Sequence, residues 1–197
     1  MLLTLPALCG CTHHHDQPSP RNLIFMIGDG MGLAHVSMLT IEGGYAPTAF
    51  NSMENVALMT TYSANNRVTD SAAAGTALAT GSKTNNSMVG ITPDSLCCRS
   101  IIERARERGM ATGIVVTSEI QHATPASFYA HSKSRSDYAL INQQLAESGI
   151  DVIFGGGRTT FDLGTDSLMR QRGYELFYDF AQAEQSQAER IVGVFAD

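Results

Sequence analysis

Nine residues, Val68-Thr69-Asp70-Ser71-Ala72-Ala73-Ala74-Gly75-Thr76, place a serine where a helix made almost wholly of small side chains should begin. At a helix amino terminus the free N–H groups and the dipole favour a phosphoryl oxyanion, and small side chains let a substrate come close to the backbone. Ser71 is therefore a candidate nucleophile. A serine hydroxyl is too weak an acid to react unaided at neutral pH, so it needs a neighbouring base or a metal ion that lowers its pKa. Taken alone, the segment reads better as a serine cap on an alanine-rich helix. The rest of the chain decides between the two.

Upstream, the apolar run Asn22 to Ile27 stops at Gly28-Asp29-Gly30-Met31-Gly32. A strand running into a glycine turn puts Asp29 at a carboxyl edge. A dinucleotide loop is a weak alternative, because Leu33 stands where Gly-x-Gly-x-x-Gly has its third glycine. In type and order the two motifs resemble the active-site signature of alkaline phosphatases. The resemblance implies that Asp29 bridges a zinc and a magnesium ion, and that Ser71 binds the same zinc and becomes transiently phosphorylated. A third segment, Gln121 to His131, is also similar to the family and implies Thr124 as a magnesium ligand. Family members carry Asp or His at the position of His122. The histidine here is expected to bond a metal-bound water or a neighbouring side chain, since magnesium prefers oxygen. Asp70, next to the nucleophile, is expected to support the site without touching metal.

Ser134-Arg135-Ser136 falls where the family has its substrate-binding arginine. A planar guanidinium can grip two phosphate oxygens at once and keeps its charge at any working pH. His131 is read as structural. Gly155-Gly156-Gly157-Arg158 is read as a tight turn, with no role for Arg158. The implied reaction is hydrolysis of small phosphate monoesters, with inorganic phosphate as product, by two in-line displacements through a phosphoserine. Two zinc ions and one magnesium ion are the implied cofactors, and a homodimer the implied assembly. The family's other metal ligands, a Glu, an Asp-x-x-x-His pair, an Asp-His pair and a distant His, have no match after Arg158. The chain is thus expected to be the amino-terminal part of a longer enzyme, truncated at the carboxyl end and inactive or nearly so by itself. Two alternatives stay open: a superfamily relative acting on phosphodiesters or sulfate esters, and a non-catalytic phosphate-binding remnant.

These residues need a scaffold, and the hydrophobic pattern supplies one. Asn22–Ile27, Val56–Thr60, Thr112–Thr117 and Asp151–Phe154 read as strands, while Ser71–Thr80, Ser100–Arg108 and Asp137–Glu147 read as helices followed by Gly81, Gly109 and Gly149. Tyr174–Phe177, Ala181–Glu189 and Ile191–Phe195 continue the rhythm. Strand followed by helix, repeated, predicts an α/β fold: a mostly parallel central sheet with helices on both faces and ligands at the carboxyl ends of the strands.

The 197 residues are 43% hydrophobic and 16% charged, with a formal net charge of −6, which suits one domain with a real core and excludes the broad basic surface that nucleic acid requires. Residues 1–21 read as leader and linker, and 22–197 as the amino-terminal portion of one domain. Leu8-Cys9-Gly10-Cys11 resembles a bacterial lipoprotein cleavage box, which predicts export, a periplasmic or envelope-anchored location and a lipid on Cys11. The alternative is a misassigned start ahead of a soluble domain. His13, His14 and His15 are read as linker, and the adjacent Cys97 and Cys98 as thiols that do not pair with each other.

Overall fold

A computed structural model describes residues 21–195. The leader, Cys11, the histidine run and the linker prolines therefore lie outside the described residues. In chain order the elements are α1 (Leu33–Glu42), α2 (Ser71–Thr80), α3 (Ile101–Glu107), β1 (Gly113–Glu119), α4 (Ala123–Ala126), α5 (Tyr138–Ser148), β2 (Val152–Gly156), α6 (Leu163–Gln171), β3 (Glu175–Phe177), α7 (Phe180–Ala183) and β4 (Ile191–Val194).

The four strands form one parallel sheet in the order β1-β2-β4-β3. Parallel neighbours need crossover connections, and each one here carries helix: α4 and α5 between β1 and β2, α6 between β2 and β3, α7 between β3 and β4. Successive strand residues point to opposite faces. On one face Ile153 of β2 and Val192 of β4 are fully buried in a core with Ile141 and Leu145, one turn apart on α5, and Met169 of α6. On the other face Phe154 meets Phe195 at 5.4 Å between ring centroids and Phe180 of α7 at 6.2 Å. Helices thus cover both faces, as expected.

Local chemistry sets the helix ends. Gly81 and Gly149 adopt left-handed φ values of 77° and 65°, which closes α2 and α5 as their positions suggested. Ser100 and Glu103 form a reciprocal capping box at the start of α3.

Three expectations need correction. Asn22–Ile27 and Val56–Thr60 form no strand among the described residues, and Leu23, Ile24, Met26, Val56, Leu58 and Met59 are exposed. A strand requires a ladder partner, and no described strand lies against either segment. The helix expected over Ala181–Glu189 stops at Ala183, because the polar run after it offers no apolar face to bury. Helices α1 and α6 were not foreseen. No helix among the described residues is long and apolar enough to cross a membrane.

Candidate active site

Asp29 lies in the turn after the first apolar run, Ser71 begins α2, and Thr124 lies in α4 just past β1. The fold brings the three together. The Ser71 hydroxyl donates to Asp29 Oδ1 at 3.1 Å, and the Thr124 hydroxyl donates to Asp29 Oδ2 at 2.6 Å. Both carboxylate oxygens are thus met by hydroxyls from different helices.

Close packing of α2 on α4 makes this meeting possible. A Cβ added at Gly75 would lie 2.8 Å from Ser127 Oγ and 3.5 Å from Thr124 Cα, so only glycine allows the observed approach. Ser127 reinforces the contact, its hydroxyl lying 2.8 Å from Ala123 O within α4 and 3.3 Å from Ala72 O in α2. The small-residue run first read as room for substrate also serves as room for a neighbouring helix.

The helix cap is Asp70, not Ser71. Asp70 Oδ1 accepts from the Ala73 amide at 2.9 Å, and Ser71 is the first helical residue. Its hydroxyl is therefore free of capping duty, which removes the serine-cap reading. Asp70 Oδ2 accepts from the Ser87 amide at 2.9 Å and from Arg135 Nη1 at 3.4 Å. Arg135 Nη2 lies 3.3 Å from His122 Nε2, so the guanidinium is held between an acid and an imidazole. His122 meets Arg135, and no hydrogen bond joins it to Asp29 among the described residues.

Two contributors escaped the sequence reading. Asn86 Oδ1 accepts from the Asp70 amide at 3.2 Å, and its Nδ2 donates to Val68 O at 3.0 Å. Ser87 accepts from the Arg135 amide at 2.7 Å while donating to Asp70, so one residue ties the arginine loop to the helix cap. Ser87 has φ 75°, in the left-handed region that a serine rarely adopts. The only available signal was the polar Asn85-Asn86-Ser87 run, which reads as an ordinary turn.

His131 bonds Gly90 O and Glu103 away from the site, and Arg158 stacks on the Tyr178 ring at 4.9 Å. Neither joins the Ser71 cluster. Gly157, at φ 100°, makes the expected tight turn.

The donor set around Asp29 is one carboxylate and two hydroxyls. An all-oxygen set of this kind fits a hard cation such as magnesium in part, while a closed zinc site calls for more ligands, usually nitrogen or sulfur. Among the described residues no group of three or more His, Cys, Asp or Glu side chains is placed to hold a metal ion.

The profile of the alkaline phosphatase family matches residues 20–193. Alkaline phosphatase 3 of Bacillus subtilis is 36% identical, the alignment covering 92% of this chain and 43% of the relative. Streptomycin-6-phosphate phosphatase of Streptomyces griseus is 32% identical over the whole chain and 52% of its own length. The solved alkaline phosphatase of the Antarctic bacterium TAB5 superposes with a TM-score of 0.78 at 32% identity, covering 86% of this chain and 51% of that one, and a variant of it was solved with magnesium bound. The chain spans about half the length of these relatives. With profile, sequence and superposition in agreement over most of its residues, this chain belongs to the alkaline phosphatase family.

Proposed function

We propose that the protein carrying this chain hydrolyses phosphate monoesters with Ser71 as nucleophile. The observation that carries the reading is the convergence of Ser71 and Thr124 on Asp29, beside an arginine anchored to the cap of the nucleophile's own helix.

Ser71 Oγ attacks phosphorus, a Ser–O–P bond forms, and the alcohol leaves with the electrons of the broken P–O bond. Asp29 Oδ1 is the acceptor that faces the serine proton. Water then attacks the phosphoserine from the side opposite the serine oxygen and frees inorganic phosphate, with net retention at phosphorus. Arg135, fixed by Asp70 and His122, presents two N–H groups in one plane for two phosphate oxygens. Free amides at the start of α2 add partial positive charge close to Ser71.

Asp29, Ser71 and Thr124 are the residues that would hold metal, with magnesium and zinc as the ions proposed. When bound, such ions supply positive charge that lowers the serine pKa and offsets charge on the leaving oxygen. The magnesium of the TAB5 variant supports the assignment. One carboxylate and two hydroxyls are too few donors for three ions, so we infer that the 197-residue chain assayed alone turns over little or no substrate. Rapid zinc-dependent turnover by that chain would overturn the inference. Export to the envelope, a lipid on Cys11 and a homodimer belong to the same proposal.

The test is acid quenching during turnover of an aryl phosphate by the longer protein, followed by peptide mass spectrometry. Phosphate should sit on the peptide bearing Ser71 and vanish in Ser71→Ala together with turnover. Undiminished turnover by Ser71→Ala would refute the mechanism.

A further inference from the structure

At the carboxyl end of β1, three side-chain oxygens are buried without a donor among the described residues: Glu119 Oε2, Gln121 Oε1 and Asn142 Oδ1. Gln121 is fully buried and Asn142 is 6% exposed. Their nitrogens, by contrast, are used. Asn142 Nδ2 donates to Thr160 O at 3.2 Å, and Gln121 Nε2 donates to the Thr160 hydroxyl and lies 3.5 Å from Gly157 O. Asn142 Nδ2 faces the Thr160 carbonyl, which can only accept, so that amide is oriented by its surroundings, while Gln121 Nε2 faces a Thr160 hydroxyl that itself donates to Gly157 O.

The oxygens belong to one neighbourhood around the Gly157–Thr160 turn. A Cβ added at Gly157 would lie 2.8 Å from Gln121 Oε1 and 3.0 Å from Glu119 Cβ, so the glycine lets the turn backbone close directly against both side chains. Tyr138, in the first turn of α5, lies close enough to Glu119 to feel its charge, and Asn142 lies one turn farther along the same helix. Leaving a buried acceptor unmet carries the full desolvation cost of that group, and a carboxylate oxygen costs more than an amide. Three acceptors, one of them anionic, lack a partner of positive charge.

We propose that Glu119, Gln121 and Asn142 form a binding site for a hard cation of the calcium class, with a donor set separate from that of Ser71. Calcium accepts carboxylate and amide oxygens together, tolerates irregular geometry and completes its shell with water or backbone carbonyls, whereas magnesium holds its own waters and demands an octahedron. A single carboxylate places the affinity at the weak end, with half-saturation at about 0.1–1 mM. Because Gln121 adjoins His122, the cap of α4, an ion there would stiffen the connection from β1 to the short helix that carries Thr124.

The chain has no tryptophan, so terbium, a calcium stand-in, would draw its sensitised emission from tyrosine, and Tyr138 is the ring beside Glu119. The experiment titrates the full chain, carrying Asp29→Ala to remove the carboxylate of the Ser71 site, with terbium chloride under tyrosine excitation. Expected is saturable emission that calcium chloride competes away, that Tyr138→Phe largely abolishes, and that Glu119→Gln abolishes while keeping the side chain's shape. Calcium should also raise the melting temperature of the Asp29→Ala chain but not that of Asp29→Ala/Glu119→Gln. Emission indifferent to both Tyr138→Phe and Glu119→Gln, or a melting temperature that ~10 mM calcium does not move, would overturn the site and assign the three oxygens to buried water.

Discussion

The Thr124 hydroxyl donates to Asp29 Oδ2 at 2.6 Å across 95 positions of sequence. This bond ties the turn that carries Asp29 to α4, and the Ser71 bond ties the same carboxylate to α2. Thr124→Val keeps the shape of the side chain and removes the hydroxyl. Because the bond is exposed, the stability loss should be small, about 1 kcal/mol or less, or a melting shift of roughly 2–4 °C for a chain of this size. The functional loss should be larger. In the protein that carries this chain, under the proposed function, the variant should need about 10–100-fold more magnesium for half-maximal activity, as for other residues that set a metal's surroundings. A metal titration of phosphatase activity measures this, and an unchanged midpoint would remove Thr124 from the metal site.

Asp70 performs two tasks that different substitutions can separate. Its Oδ1 caps α2 and its Oδ2 holds Arg135. Asparagine is a good cap but carries no charge, whereas alanine loses both functions. Asp70→Ala should cost about 1–2 kcal/mol of stability, with Asp70→Asn costing clearly less. Under the proposed function both should raise KM for a phosphate monoester in the protein that carries this chain, because Arg135 loses its ionic anchor. Equal melting temperatures for the two variants would contradict the division of labour.

The α2 boundaries and the cap at Gly81 were legible because each depends on local pattern: a run of small residues and a glycine stop. The strands assigned to Asn22–Ile27 and Val56–Thr60 were not, since an apolar run of strand length says nothing about where its ladder partner is. Asn86 and Ser87 were missed for another reason. They act through backbone hydrogen bonds, which sequence does not advertise, and Ser87 does so from a conformation that no serine propensity predicts. Asp70 as the cap was within reach of the sequence, because aspartate is a preferred cap and immediately precedes the small-residue helix.

Gly75 is the hinge of the α2–α4 contact. Gly75→Ala should gain about 1 kcal/mol of helix propensity but lose about 1–3 kcal/mol to overpacking, as the new methyl meets Ser127 Oγ at 2.8 Å. The net effect should be destabilising, and it should displace Thr124 from Asp29. Ser127→Ala removes the nearest atom and leaves Ser127 Cβ at 3.1 Å. The double variant should therefore be more stable than the sum of the two single losses predicts, a coupling that denaturant melts of all four chains would detect. Strict additivity would mean that the helices do not meet through this pair.

The His131–Glu103 pair, 3.3 Å apart, should give the stability a pH signature. The bond to Glu103 raises the His131 pKa above its usual 6.5 despite burial. Burial alone would raise the Glu103 carboxyl, but bonds from His131 and the Ser100 amide hold it below 4.5. A raised histidine stabilises fully below 6.5 and loses that contribution as pH climbs through its folded-state value; a lowered carboxylate stabilises above 4.5 and loses its contribution as pH falls through its own. The pair therefore contributes most between about pH 4.5 and 6.5. Glu103→Gln isolates it, because glutamine preserves the capping box with Ser100 while removing the charge. The variant's melting temperature should fall below that of the parent by roughly 2–4 °C inside that window, for a pair worth about 1 kcal/mol. The gap should narrow on both sides of it. A gap that stays constant from pH 4 to 9 would show that His131 carries no charge in the folded chain.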